Sequence, residues 1–190
     1  MGAELTYNGQ ALEPARFDRA SLLAAWKTGA LDALERFEMI EGVLVAMSPS
    51  RNAHALLLPK LASHLITSVN QRFAVAVDAS IFLDEQTKLA PDISLLTPPV
   101  NTDYASTEDI ALIIEIADAT LDKDLRMKAA LYAKAGIEEY WVVDIAGRLL
   151  HIHRQPGASG YGDIQKCVWS NGASPLCAPD LIINLEKVSA

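Results

Sequence analysis

No apolar run in the 190-residue sequence approaches the ~18 residues that a membrane span needs, and no early segment joins a basic start, an apolar block and a small-residue cleavage site. The expectation is a cytoplasmic protein with no membrane partner. Cysteine is scarce: Cys167 and Cys177 stand without CxxC spacing or paired histidines, which excludes a disulfide framework and a zinc knuckle and leaves reduced thiols. Positive charge is also short. Sixteen Lys and Arg against 24 Asp and Glu give a formal net charge of −8. That balance repels phosphate backbones at long range and excludes a broad basic groove, so any nucleic-acid contact must be local. Internal repeats and low-complexity segments are missing too, which excludes a solenoid.

What is present suits a globular chain. Hydrophobic residues make up 51% and charged residues 21%, enough apolar surface to bury a core and too little charge for disorder. Residues 1–20 are weakly patterned and read as a leader, with 21–190 as a single domain. "RASLLAAWKTG" predicts a short packing helix with Leu22, Leu23 and Trp26 on one face, ended by Gly29. "RFEMIEGVLVAMSPS" predicts a hairpin turned at Glu41-Gly42 and stopped by Ser48-Pro49-Ser50. "NAHALLLPKLASHLITSVNQRF" carries Leu57, Leu61 and Leu65 at helical spacing, with Pro59 tolerable if the helix starts near Leu58 or kinks there. "AVAVDASIFLDEQ", "APDISLLTP" and "IALIIEIA" read as strands. A helix from about Leu121 to Ala135 follows, ended by Gly136, and then the strand pair "EEYWVVDI" and "RLLHIHRQ", turned at Ala146-Gly147. Helices interleaved with strands imply an α/β fold with a mixed central sheet flanked by helices and preceded by an N-terminal β-hairpin.

Three charges stand where a core-building segment has no use for them. Asp92 opens an apolar strand after Pro91, and Glu115 interrupts "LIIEIA". A buried, unpartnered carboxylate costs several kcal/mol. Glu115 therefore either points to solvent from a half-buried sheet, beside Ile113 and Ala117 on one face, or meets a cation. Lys128 continues the helical stripe Leu121, Leu125, Lys128, Tyr132, which faces the sheet. It either pairs with Asp124 at i−4 while its stem covers the core, or reaches the carboxylates. Two strand carboxylates and an ammonium form a chemically recognisable set. The carboxylates can hold Mg²⁺ or Mn²⁺, a bound cation lowers the pKa of an attacking water, and the ammonium orients that water or stabilises charge on a pentavalent phosphorus.

The order helix, strand, strand with Pro91-Asp92, strand with Glu115, helix, strand resembles the common core of the PD-(D/E)-x-K nuclease superfamily. More closely, "FEMIEGVLVAMSPSRNAH", "APDISLL" and "IIEIADATLDKDLRMKAALYAKAGIEEYWVVD" resemble the Uma family of restriction-endonuclease-like proteins, across roughly residues 20–155. The resemblance implies a restriction-endonuclease-like fold and a Mg-dependent endodeoxyribonuclease. Asp92 and Glu115 would be the metal ligands and Lys128 the charge stabiliser, with Glu38 and His54 approaching the site from the other side. Two departures stand out. The position two residues after Glu115, where the superfamily usually has lysine, is Ala117, and the lysine instead lies on the following helix. Asp118 stands where serine is common, and would either pull on the metal or cap the helix near Thr120. A homodimer is the expected assembly, because cutting both strands of a duplex needs two sites. The alternative is a catalytically weak or inactive nuclease-fold module that binds or regulates, and a metal hydrolase acting on something other than nucleic acid stays open as well.

Lesser candidates have plainer readings. His151 and His153 share a strand face but make an incomplete metal site and read as surface residues. Tyr140 and Trp141 read as core rather than as base-stacking rings. Glu41 reads as a turn residue, and Asp122 to Arg126 as a solvated helical turn.

Overall fold

The computed structural model describes residues 6–7, 10–11, 15–34, 36–47, 49–100 and 104–190. Strands β1 (Thr6–Tyr7) and β2 (Gln10–Ala11) pair with each other, and helix α1 (Arg19–Lys27) follows. The hairpin comprises β3 (Phe37–Ile40) and β4 (Val43–Ala46); α2 (Asn52–Val69) comes next. Then come β5 (Ala74–Val77), β6 (Ile81–Phe82), β7 (Lys88–Leu89), β8 (Ile93–Leu96) and β9 (Ile110–Ala117). One helical passage is built from α3 (Leu121–Lys123), a π-helical turn (Asp124–Lys128) and α4 (Ala129–Lys134). The chain ends with β10 (Glu139–Asp144), β11 (Leu149–Gly157), β12 (Gly160–Val168) and α5 (Leu185–Ser189). No helix among the described residues is long and apolar enough to cross a membrane. Ser48 and half of residues 1–20 lie outside the described residues.

The main sheet has six strands in the order β12-β11-β10-β9-β8-β5. β9 and β10 run parallel, and the other neighbours are antiparallel. A parallel pair needs a crossover, and α3 through α4 supplies it. One face of the sheet buries Ile93, Leu95, Leu112, Ile114, Ile116, Trp141 and Val143 against Leu57, Leu61 and Leu65 of α2. The other buries Ile113, Ala117, Tyr140 and Val142 with Ala129 and Tyr132 of α4. This is the mixed, helix-flanked sheet that the alternating pattern predicts. A second, four-stranded sheet, β4-β3-β7-β6, carries the hairpin. Its turn is at Glu41 (φ 49°) and Gly42 (φ 79°). A Cβ on Gly42 would meet the Phe17 carbonyl oxygen at 2.7 Å, so both the conformation and the space require glycine.

Several expectations change. "AVAVDASIFLDEQ" is two strands in two different sheets, broken at Asp78 (φ 52°). Helix α2 starts at Asn52 and keeps Pro59 in its interior. The missing N–H falls on the exposed side, where water can satisfy the freed carbonyl. The helix after β9 is not uniformly α, because its middle turn is π. Tyr140 and Trp141 are core residues, as expected.

His151 and His153 are buried, not surface residues, because β11 lies inside the sheet with β12 outside it. The His153 ring packs 5.4 Å from Tyr140 and 5.6 Å from Tyr161. Burial, with smaller contributions from His151 and Lys166, takes its pKa from 6.5 down to about 4. A neutral histidine in the fold and a protonatable one in the unfolded chain make stability fall as pH drops through that window. The loss is at most about 3 kcal/mol and is complete below pH 4. His151 is shifted the same way, whereas His54 is raised and works in the opposite sense. His153→Phe keeps the ring and removes the proton site. Urea midpoints at neutral pH and near pH 4.5 should converge in this variant relative to wild type; an unchanged pH slope would contradict the account.

Candidate active site

The register of the central strands brings the first two residues together. Ile93 of β8 lies opposite Ile114 of β9, and carrying that antiparallel register one residue further sets Asp92 opposite Glu115. The Asp92 carboxylate is held at both oxygens. Ile116 N–H donates to Oδ2 at 2.6 Å, and His54 Nε2 lies 3.0 Å from Oδ1. His54 sits in the first turn of α2, which aims its imidazole over the strand ends. The hydrogen bond to Asp92 raises the His54 pKa above its ordinary value, with burial opposing.

Glu115 does not point to solvent. It shares a sheet face with Ile113 and Ala117, but the crossover helix covers that face and leaves the residue 3% exposed. Its Oε1 accepts hydrogen bonds from Lys128 Nζ at 2.7 Å and Tyr132 OH at 2.9 Å. Burial pushes the Glu115 carboxyl up to about 8, against the pull of the Lys128 ammonium, with Asp92 and Asp124 adding to the rise. Lys128 itself is buried, which works to lower its pKa. The carboxylates of Glu115, Glu38 and Asp124 outweigh that and hold the ammonium above the ordinary lysine range. The i−4 pairing with Asp124 exists, but at 3.8 Å it is the longest of the three carboxylate contacts.

Glu38 reaches this cluster from the hairpin. Fully buried in β3, it places Oε1 3.2 Å from Lys128 Nζ and accepts a 2.7 Å hydrogen bond from Lys123 Nζ at Oε2. Burial alone would raise its pKa, but the two lysines together hold it below the usual glutamate value. Lys123 and Lys128 are five residues apart, a spacing that a regular α-helix sends to different faces. The π turn between them, with its i→i+5 pattern, brings both onto Glu38.

These side chains border a cavity of about 320 Å³. Asp92, Glu115, His54, Lys128, Asp118 and Asp124 line it, and Arg36, Arg51 and Lys123 add positive charge to its walls. Glu38 lies behind the lysines and is not among the lining residues. Asp118 lines the cavity without capping a helix; among the described residues it makes no hydrogen bond. Asp124 is buried, not solvated, and accepts a 2.5 Å hydrogen bond from Thr120 Oγ1. Only Asp122 and Arg126 of that segment form the exposed pair expected of a solvated turn. Lys123 is thus the site neighbour that sequence reasoning left out, whereas Asp124 and Tyr132 entered it only as the i−4 partner and the stripe neighbour of Lys128.

The donor set suits a hard divalent cation. Among the described residues no group of three or more His, Cys, Asp or Glu side chains forms a cage. Mg²⁺ is ordinarily held by one or two carboxylates, with water and substrate phosphate completing the shell. Asp92 and Glu115 offer two carboxylates on one cavity, and the buried Glu115 carboxyl has its Oε2 outside the hydrogen bonds to Lys128 and Tyr132.

The Uma2 family, described as "Putative restriction endonuclease", matches residues 23–184. The chain belongs to this family. Its fold is also that of a crystal structure from Anabaena variabilis, a putative nuclease belonging to DUF820. That structure has 15% sequence identity and a TM-score of 0.66, and the match covers 80% of this chain and 89% of that one. No curated protein matches the sequence. The fold is therefore restriction-endonuclease-like. In this Uma2 chain the position two residues after Glu115 is the buried Ala117, and an ammonium reaches Glu115 from the next helix instead.

Proposed function

We propose that this Uma2 protein is a metal-dependent endonuclease that hydrolyses DNA phosphodiester bonds. The observation that carries the reading is the convergence of Asp92, Glu115 and Lys128 on one cavity, with the Lys128 ammonium 2.7 Å from Glu115. Asp92 and Glu115 would hold Mg²⁺ or Mn²⁺. A cation there supplies polarisation of a phosphoryl oxygen and a more acidic water. Lys128 stabilises the negative charge carried by the oxygens of the pentavalent phosphorus. His54 orients Asp92 and, when protonated, adds a donor toward a phosphate oxygen. Glu38 acts through Lys123 and Lys128 as a positioning residue. Arg36, Arg51 and Lys123 place local positive charge beside the cavity carboxylates despite the net charge of −8, although Arg36 also pairs with Asp78 and Lys123 with Glu38. Two copies would supply the two sites that duplex cleavage needs.

The rival, a binding module with little catalysis, draws on the closed pairing of Glu115 with Lys128 and Tyr132. Calorimetric titration with Mg²⁺ or Mn²⁺ separates the readings at the metal step. Wild type should bind, and Asp92→Ala should weaken binding at least tenfold, the loss of one of two carboxylate ligands. Equal affinity in the variant would remove Asp92 from the site. His54→Ala should lower turnover while leaving thermal stability nearly intact. A large loss of stability with normal specific activity would make His54 structural.

A further inference from the structure

Arg36 and Met47 line a second cavity as well as the one that holds Asp92 and Glu115, so the two open side by side. The second measures about 610 Å³. Lys88 of β7 lines it, only 2% exposed. Its ammonium donates to the Phe37 carbonyl at 3.2 Å and lies 4.6 Å and 5.2 Å from the ring centroids of Phe37 and Trp26. Among the described residues it forms no ion pair, so a three-donor group meets one carbonyl and two aromatic faces. Burial lowers the Lys88 pKa, with Glu38 opposing. Trp26, on the same wall, is 43% exposed, whereas Trp141 and Trp169 are buried.

An accessible indole, a buried donor with unused N–H groups, and the Asp32 carboxylate around one cavity, beside an Asp78 carboxylate paired with Arg36, match a flat aromatic ligand with both acceptors and donors on its edge. We propose that this cavity receives a nucleobase of the strand whose phosphate lies at Asp92 and Glu115, stacked on Trp26 and hydrogen-bonded by Lys88. The proposal rests on the nuclease reading above. Lysine pairs best with the O6 and N7 acceptors of guanine, so guanine is the favoured base. The cavity then makes the protein selective at a nucleotide next to the scissile phosphate, with no broad basic groove required.

The test uses the full chain with Ca²⁺ in place of Mg²⁺ and a short guanine-containing single-stranded oligonucleotide. Anisotropy reads binding, and tryptophan emission reads stacking. Saturation should quench the emission. Trp26→Ala should abolish that quenching and weaken binding roughly tenfold, the scale of one lost stacked base, and Trp26→Phe should restore binding. An oligonucleotide with abasic sites in place of guanine should reproduce the loss on the unaltered protein, and Lys88→Met should erase the preference for guanine over adenine. Binding at full wild-type strength both by Trp26→Ala and to the abasic strand overturns the base-pocket assignment while leaving the nuclease reading in place. No binding of any strand by wild type also overturns the base-pocket assignment, and the nuclease reading falls with it only if wild type cleaves no duplex DNA either.

Discussion

Glu115→Gln should lower DNA cleavage on the order of a thousandfold, the upper range for removing one electrostatic element from a reaction centre. Folding should barely change. The amide oxygen can still accept from Lys128 Nζ and Tyr132 OH, which now bond to Glu115 Oε1 at 2.7 and 2.9 Å. Burial already pushes this carboxyl up to about 8, so a neutral side chain suits the buried position, and stability should stay within about 1 kcal/mol of wild type. The variant loses the negative charge that would attract a cation. Rates with Mg²⁺ and a thermal melt on the same preparation check both halves. Wild-type cleavage by the variant would reduce Glu115 to a strut that holds Lys128.

Lys128→Met should lower cleavage about a hundredfold and also cost stability, roughly 3 kcal/mol. The stem's packing survives, but Glu115 and Glu38 stay buried with one ammonium fewer between them. A lysine paired only with Asp124 on an exposed helix face would give a change of about 0.5 kcal/mol or less and normal activity. The double variant Lys128→Met/Glu115→Gln separates the two effects. Stability should largely return, because the buried carboxyl that loses its ammonium partner is gone while Glu38 keeps Lys123, and cleavage should stay at the level of the weaker single variant. A double variant that cleaves as well as wild type would show that neither side chain takes part in the chemistry.

The parts of this site that could be read from sequence are those set by short-range periodicity. Strand alternation put Glu115 with Ile113 and Ala117, and helical spacing put Lys128 on the stripe facing the sheet; both placements hold. Alternation names a face without saying what covers it, so the burial of Glu115 depended on where the crossover helix came to rest. Lys123 was invisible because its partner Glu38 is 85 residues away and because only a π turn brings residues five apart to the same point. His151 and His153 read as surface residues for a related reason: nothing local shows that β12 shields β11. Pattern also fails to separate function from scaffolding. Glu139 is a buried strand carboxylate like Glu115, yet Arg154, Trp141 Nε1 and Leu176 N–H satisfy both its oxygens and tie the C-terminal segment to the sheet.

The account is tested most directly by incubating the protein with supercoiled, linear and single-stranded DNA over a series of divalent cations, beside Asp92→Ala. Asp92 is the right control because it lines the cavity and, among the described residues, its carboxylate bonds only to His54 and the Ile116 amide. The account predicts cleavage of at least one DNA form by wild type with Mg²⁺ or Mn²⁺, lost on chelation and in Asp92→Ala. Cleavage that persists in Asp92→Ala, or a folded wild type that cuts no DNA with any divalent cation, would contradict it.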